Sequence, residues 1–127
     1  MKKSLLLSSV VVLGLFTAQS AYAVAYGDVW ETNIPQLNNG DTINDIGGGD
    51  GNPSTIDNML GGTINHAYRL DITTMADGHI LRFNGSNIQD MNGGLIDIIE
   101  YSSQIQNMNG GTITSITNWG SVQNLNS

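Results

Sequence analysis

One nine-residue stretch recurs along this chain, and its spacing leaves few folds open. Ile105-Gln106-Asn107-Met108-Asn109-Gly110-Gly111-Thr112-Ile113 is matched closely by the stretches Ile56 to Ile64 and Ile88 to Ile96, and, with one glycine replaced, by Ile72 to Ile80. A truncated copy runs from Val122 to Ser127, and a degenerate one, Ile34 to Ile43, precedes the others. The copies start at 56, 72, 88, 105 and 122, a period of 16 or 17. A fixed short period marks an architecture of stacked units, each burying its apolar face against its neighbours.

Inside each unit, apolar residues come in pairs three apart: Ile56/Met59, Ile64/Ala67, Ile72/Met75, Ile80/Phe83, Ile88/Met91, Ile96/Ile99, Ile105/Met108, Ile113/Ile116 and Val122/Leu125. A spacing of three suggests helix, but Gly-Gly, Asn-Gly or Asp-Gly follows within a few residues, and helices do not survive glycines at that density. The intervening segments are rich in Ile and Thr, which favour strands. Each unit therefore reads as strand, turn, strand, turn. The expected fold is all-β, a short β-solenoid of five to six coils over 34–127, with a Gly-rich insert at 47–55 and a leader or cap at 24–33. Inward residues of a flat strand alternate with period two, so a spacing of three calls for a bulge or corner between the paired residues.

Stacked coils place equivalent residues in columns about 4.8 Å apart. Met59, Met75, Met91 and Met108, closed by Leu125, form one apolar column, best read as core filling rather than a soft-metal site, since no other soft ligand is present. Gln89, Gln106 and Gln123 form a second column, and Asn58, Thr74, Asp90, Asn107 and Asn124 a third; amide columns can hydrogen-bond along a stack. These are the expected self-assembly ladders.

Residues 1–23 stand apart. Lys2 and Lys3, the apolar run Leu5 to Phe16 and the small-x-small Ala21-Tyr22-Ala23 read as a secretory signal peptide cleaved after Ala23. The apolar run is shorter than the ~20 residues a spanning helix needs, so no membrane partner is expected after cleavage. From Val24 onward the chain holds two arginines against eleven carboxylates, a formal charge of −9. That argues against nucleic acid and anionic lipid, which need basic patches to displace counterions. Small exported domains commonly rely on disulfides, yet the chain has no cysteine. Repetition or self-association has to supply the stability instead.

No catalytic constellation emerges, and the chain is read as a non-enzyme without cofactor or bound metal. His66 and His79 fall at different positions of their coils and read as tolerated turn or surface residues. Asp71, Asp77, Asp90 and Asp97 are read as solvated charge rather than a carboxylate acid/base pair. The insert Gly47 to Thr55 faintly resembles calcium-binding Gly-Asp turns, but such turns recur in every coil of a calcium roll and this one occurs once. It is read as a loop.

A signal-bearing acidic chain rich in Gly, Asn and Gln, built of strand-turn-strand repeats with amide columns, resembles the curlin-type functional amyloid subunits of Gram-negative bacteria. The likeness covers Ile34 to Ser127 and is one of architecture and composition; the curlin Ser…Gln-x-Gly-x-x-Asn motif is not reproduced. It implies secretion to the cell surface, polymerisation with copies of itself, a nucleator and secretion pore as partners, and a role in biofilm matrix or adhesion. The last copy breaks off at Ser127 with no cap in view, and an uncapped strand templates pairing. The rival reading is a monomeric module binding extracellular polysaccharide through Tyr68, Tyr101 and Trp119, all in second turns, although an aromatic ladder between coils accounts for them better. Ice binding fits less well, because the residue before the second-strand isoleucine runs Thr42, Thr63, His79, Leu95, Thr112 rather than forming a threonine row.

Overall fold

The computed structural model describes residues 22–126, so the expected signal segment lies outside them up to residue 21. Twelve strands follow one another: β1 (Ala25–Trp30), β2 (Asn33–Leu37), β3 (Thr42–Gly47), β4 (Ser54–Met59), β5 (Thr63–Tyr68), β6 (Leu70–Met75), β7 (His79–Asn84), β8 (Asn87–Met91), β9 (Leu95–Glu100), β10 (Gln104–Met108), β11 (Thr112–Ile116) and β12 (Ser121–Leu125). Odd strands form one six-stranded sheet in the order β1-β3-β5-β7-β9-β11, and even strands form the other, β2 to β12. Every strand pair is parallel. The chain is a β-solenoid of about six coils.

The repeat alignment is the ladder register. Ile34, Ile56, Ile72, Ile88, Ile105 and Val122 lie one above another, as do Leu37, Met59, Met75, Met91, Met108 and Leu125. Met59, Met75 and Met91 are fully buried, and Ile64, Ile80 and Ile96 face them from the other sheet with 0% exposure. The spacing of three is met by a kink. Both residues between the paired apolar ones face outward or nearly so, and the paired positions pass over one of them, as at Gln89/Gln106 between Ile88↔Ile105 and Asp90↔Asn107. Strict alternation is interrupted once per strand, in the manner of a bulge.

The two turns of a coil use different chemistry. The first turn carries the glycines, and at Gly94 (φ +88°) an added Cβ would lie 2.6 Å from Met75 Cε and 2.8 Å from the Gly78 carbonyl oxygen. Both the left-handed backbone and the close approach to the preceding coil exclude a side chain there. The second turn holds one left-handed residue in the 16-residue coils, Arg69 or Gly85, and two in the 17-residue coils, Tyr101-Ser102 and Asn118-Trp119. The extra residue of the longer period is accommodated in that turn.

Beside it runs a column that the repeat reading passed over: Ser54, Ser86 and Ser103, all buried. The single Ser103 Oγ proton is shared between the Glu100 and Phe83 carbonyls, at 2.7 and 2.9 Å, and the oxygen accepts from Ser86 N at 3.1 Å, while Ser86 Oγ accepts from Leu70 N at 2.9 Å. These hydroxyls satisfy backbone groups that the turn would otherwise leave unpaired in the interior.

Strands run into both segments set apart in the sequence. The segment 24–33, read as a leader or cap, contains β1, which pairs with β3 with a register shift around Gly27 (φ +67°). It escaped notice because Ala25-Tyr26-Gly27-Asp28-Val29 lacks the isoleucine pair. The insert is shorter than expected, because Gly47 still belongs to β3 and Ser54 already to β4. Its tip closes through a Gly49–Asn52 bridge, and Asp50 pairs with Arg69.

Two substitutions test the register. Met91→Lys, placing a charge at a fully buried position, is expected to lower unfolding free energy by several kcal/mol, and Gly94→Ala by about 1–3 kcal/mol. Ser102→Lys in the exposed second turn should change it by less than about 0.5 kcal/mol. Urea unfolding followed by circular dichroism reads all three; equal behaviour of Met91→Lys and Ser102→Lys would contradict the buried column.

Candidate functional site

The two ends of the stack are chemically unlike. At the C-terminal end β11 and β12 are the outer strands of their sheets, and among the described residues nothing pairs with their outward edges. The apolar column residues there lose their cover: Ile116 is 47% exposed and Leu125 68%, where their counterparts Ile99 and Met91 in interior coils are at 0%. No side chain from Tyr101 to Asn126 carries a charge, so this edge lacks the lysines and inward carboxylates that ordinarily keep exposed strands from pairing. The absence of charge was readable from the sequence.

At the N-terminal end the core is closed. Ile34 and Leu37 are buried although β2 is an edge strand, with Tyr26 and Val29 of β1 packed on the same cluster. Pro35 lies in that edge strand, where a residue without an N–H is tolerated. Asp28 and Glu31 give this end its negative rim; Asp28 accepts a 2.7 Å bond from Asn44 Nδ2.

Amide columns connect the coils. Asn124 Nδ2 donates to Asn107 Oδ1 at 3.0 Å, and Asn107 Nδ2 to Asp90 Oδ1 at 2.9 Å. Asn58 shares this column but is cut off from the amide chain by Thr74. A second chain went unnoticed in the sequence: Asn126 Nδ2 donates to Asn109 Oδ1 at 2.9 Å, and Asn109 Nδ2 to Asn92 Oδ1 at 2.8 Å. Its signal was the asparagine that directly follows each of Met91, Met108 and Leu125. In both chains the donors point toward the N-terminal end, which leaves the Asn124 and Asn126 carbonyl oxygens as acceptors at the open end. The glutamine column behaves differently from the expectation of bonds along the stack. Gln89, Gln106 and Gln123 stand in register at the kink, but Gln123 Nε2 reaches Gln104 Oε1 at 3.3 Å instead. The kink turns the Gln123 side chain toward the column of Gln104.

The three second-turn aromatics do not form one row or one ladder. Tyr68 ends β5 in the column of Asn84 and Glu100, whereas Tyr101 is the first left-handed residue of its turn and Trp119 the second of the next. Tyr68 stacks instead on Trp30, with ring centroids 6.4 Å apart, and the Arg69 guanidinium lies 5.2 Å from its ring centre. Trp119 stands apart at 85% exposure. Tyr68 and Tyr101 flank a groove, in two adjoining depressions of 310 and 450 Å³, over Asn84 and Gly85. Small side chains in the intervening coil open this groove. On one side it is bordered by Glu100, 6% exposed, both of whose oxygens accept from Arg82 Nη2 at 3.0 and 3.2 Å.

Both histidines sit on strands rather than in turns, each against a carboxylate of an adjacent coil: His66 Nδ1 to Asp45 at 2.8 Å and His79 Nε2 to Asp97 at 3.0 Å. Stacking creates these pairs between residues 18 to 21 apart in sequence, which is why local spacing concealed them. Among the described residues no three His, Asp or Glu side chains converge as a metal site would require.

No family model matches the chain, and neither a curated protein nor a solved structure shows significant similarity to it.

Asn107 both donates and accepts within its amide chain, whereas Asn124 only donates. Asn107→Ala is therefore expected to destabilise the fold by about 1–2 kcal/mol, roughly twice the cost of Asn124→Ala. Chemical denaturation of the two variants makes the comparison, and equal costs would mean that one of the two Asn107 bonds contributes no net stability.

Proposed function

We propose that this is a secreted structural protein that stacks head to tail into extracellular fibres, serving as biofilm matrix or surface adhesin of a Gram-negative bacterium. The observation that carries the reading is the phase of the two ends. The described stack opens with β1 in the odd sheet and closes with β12 in the even sheet. A second copy placed on the open end therefore sets its β1 over β11 and its β2 over β12, with the alternation of sheets unbroken. Ile34 would then follow Val122, Leu37 would follow Leu125, and the Gln36 amide would face the Asn124 carbonyl oxygen. Such a joint is heterologous and does not close on itself, which makes a filament rather than a ring.

Charge supports the same polarity. A joint between two N-terminal ends would oppose Asp28 and Glu31 to their own copies, whereas the head-to-tail joint sets that acidic rim against an uncharged coil. Within a molecule the carboxylates are mostly interleaved with neutral residues, as in Thr74, Asp90, Asn107. The resemblance to curlin-type subunits in composition supplies the biological setting, with a nucleator and a secretion pore as partners. The protein acts here by assembly and not by catalysis. A second reading, a monomeric module for extracellular polysaccharide, is favoured by the Tyr68–Tyr101 groove, since facing aromatic and amide groups suit a sugar ring.

Dilution of residues 24–127 from denaturant into buffer is expected to give fibres that bind thioflavin and seed fresh monomer. Leu125→Lys, at a position already 68% exposed, should leave the unfolding midpoint of the monomer unchanged and slow elongation by at least about tenfold, because assembly buries the charge. A soluble, strand-rich monomer that never seeds would remove the fibre reading; binding to a glycan array that Tyr68→Ala abolishes would establish the second.

Because the −9 charge opposes association, assembly should accelerate near pH 4, where carboxylates take up protons, and with added salt. Lag times indifferent to both would show that electrostatics does not control the joint.

A further inference from the structure

Asp41 is the least exposed carboxylate of the described residues, at 1%, in the turn between β2 and β3. Its Oδ2 accepts from Asn38 N at 2.7 Å and its Oδ1 from Val24 N at 2.8 Å. Both donors are neutral backbone groups. The arginines and histidines of the described residues meet other acids: Arg69 pairs with Asp50 and Arg82 with Glu100, while His66 contacts Asp45 and His79 contacts Asp97. A carboxylate taken out of water is ordinarily matched by a cation, and Asp41 lacks one in the unprocessed chain.

Val24 is the residue that follows the small-x-small sequence Ala21-Tyr22-Ala23. Hydrolysis of the Ala23–Val24 peptide bond adds water across it, leaving a carboxylate on Ala23 and an amine on Val24, which is protonated at neutral pH. The nitrogen that now donates one N–H to Asp41 then becomes a charged donor with three. Its position is held independently, since Thr42 N donates to the Val24 carbonyl at 2.8 Å. Tyr22, 73% exposed, and Ala23 leave the bond accessible. We infer that Asp41 is the receptor for the α-ammonium group freed by processing between Ala23 and Val24, so that export converts a neutral hydrogen bond into a half-buried ion pair that secures the first coil. This rests on the reading of residues 1–23 as a cleaved signal. The pair also completes the charge pattern: the chain from Val24 has no lysine, so the α-ammonium joins the two carboxylate-paired arginines as its only cations other than histidine at neutral pH.

The test compares residues 24–127 with the same chain begun one residue earlier, at Ala23, each with and without Asp41→Asn; every strand lies within both. In urea at low salt and neutral pH, the chain begun at Val24 is expected to have a folding equilibrium constant at least about tenfold larger, about 1.4 kcal/mol, and Asp41→Asn should abolish the difference. Equal stabilities, or a difference that survives Asp41→Asn, would overturn the pairing. Should Asp41→Asn fail to fold, amine labelling decides: the α-amine is the one amine of either chain, and acylation should be at least tenfold slower in the folded chain begun at Val24 than in that begun at Ala23. Equal rates would overturn the proposal. The intact mass of the exported protein tests the premise separately, since a chain beginning elsewhere than Val24 would remove the natural role of Asp41 whatever the stabilities show.

Discussion

The interaction on which the rest depends is the parallel ladder between one coil and the next. Each strand of 5 or 6 residues is too short to be stable alone. It becomes stable because its backbone groups pair with the coil below and its isoleucine and methionine columns lose their water at the same time. Parallel pairing in register brings like residues onto like, which is why a column of methionines is a sound core and a column of carboxylates would not be. It also bears on how the chain from Val24 onward carries nine excess negative charges: apart from Asp28 and Asp45, which are register partners, the carboxylates within the ladders alternate with neutral residues and histidine, as in Thr55, Asp71, Asn87 and Thr74, Asp90, Asn107.

A ladder also has two ends, and the ends cannot be satisfied by the repeat itself. Here they are resolved in opposite ways. Near the N-terminus a shifted first rung, with Tyr26 and Val29 against the core, closes the column over Ile34 and Leu37. At the other end, among the described residues, no strand covers Ile116 and Leu125, whose own strands carry no charged side chain. The asymmetry gives any stack of copies a direction. The buried Asp41 belongs to the closed end, where it gathers the turn of the second rung and the start of the first into one hydrogen-bonded unit.

Much of this was legible in the residues, and the places where it was not share a cause. Ile88 over Ile105 and Met91 over Met108 follow from the repeat alignment alone, because in a parallel stack alignment and spatial register are the same thing. The first rung was hidden because β1 carries no isoleucine pair and a bulge at Gly27 shifts its register. Ser54, Ser86 and Ser103 were passed over, although each stands two residues before an inward isoleucine and is fully buried. The aromatic row failed because Tyr68, Tyr101 and Trp119 occupy three different positions of a turn whose length changes by one residue from coil to coil. A turn is where repeat alignment carries least information, since insertion there costs the ladder nothing.

By itself, then, the sequence determined the class of fold, the period, the strand and turn pattern and the membership of the apolar columns, because all of these are consequences of local propensity repeated at a constant spacing. Only the tertiary structure decided which side chains outside the core meet. The His66–Asp45 and Arg82–Glu100 pairs, the groove between Tyr68 and Tyr101, the contact of Gln123 with Gln104 and that of Val24 with Asp41 all join residues roughly one or two coils apart. Their geometry depends on where each strand kinks and how many left-handed residues each turn uses. Those are properties of the packed stack rather than of any single repeat.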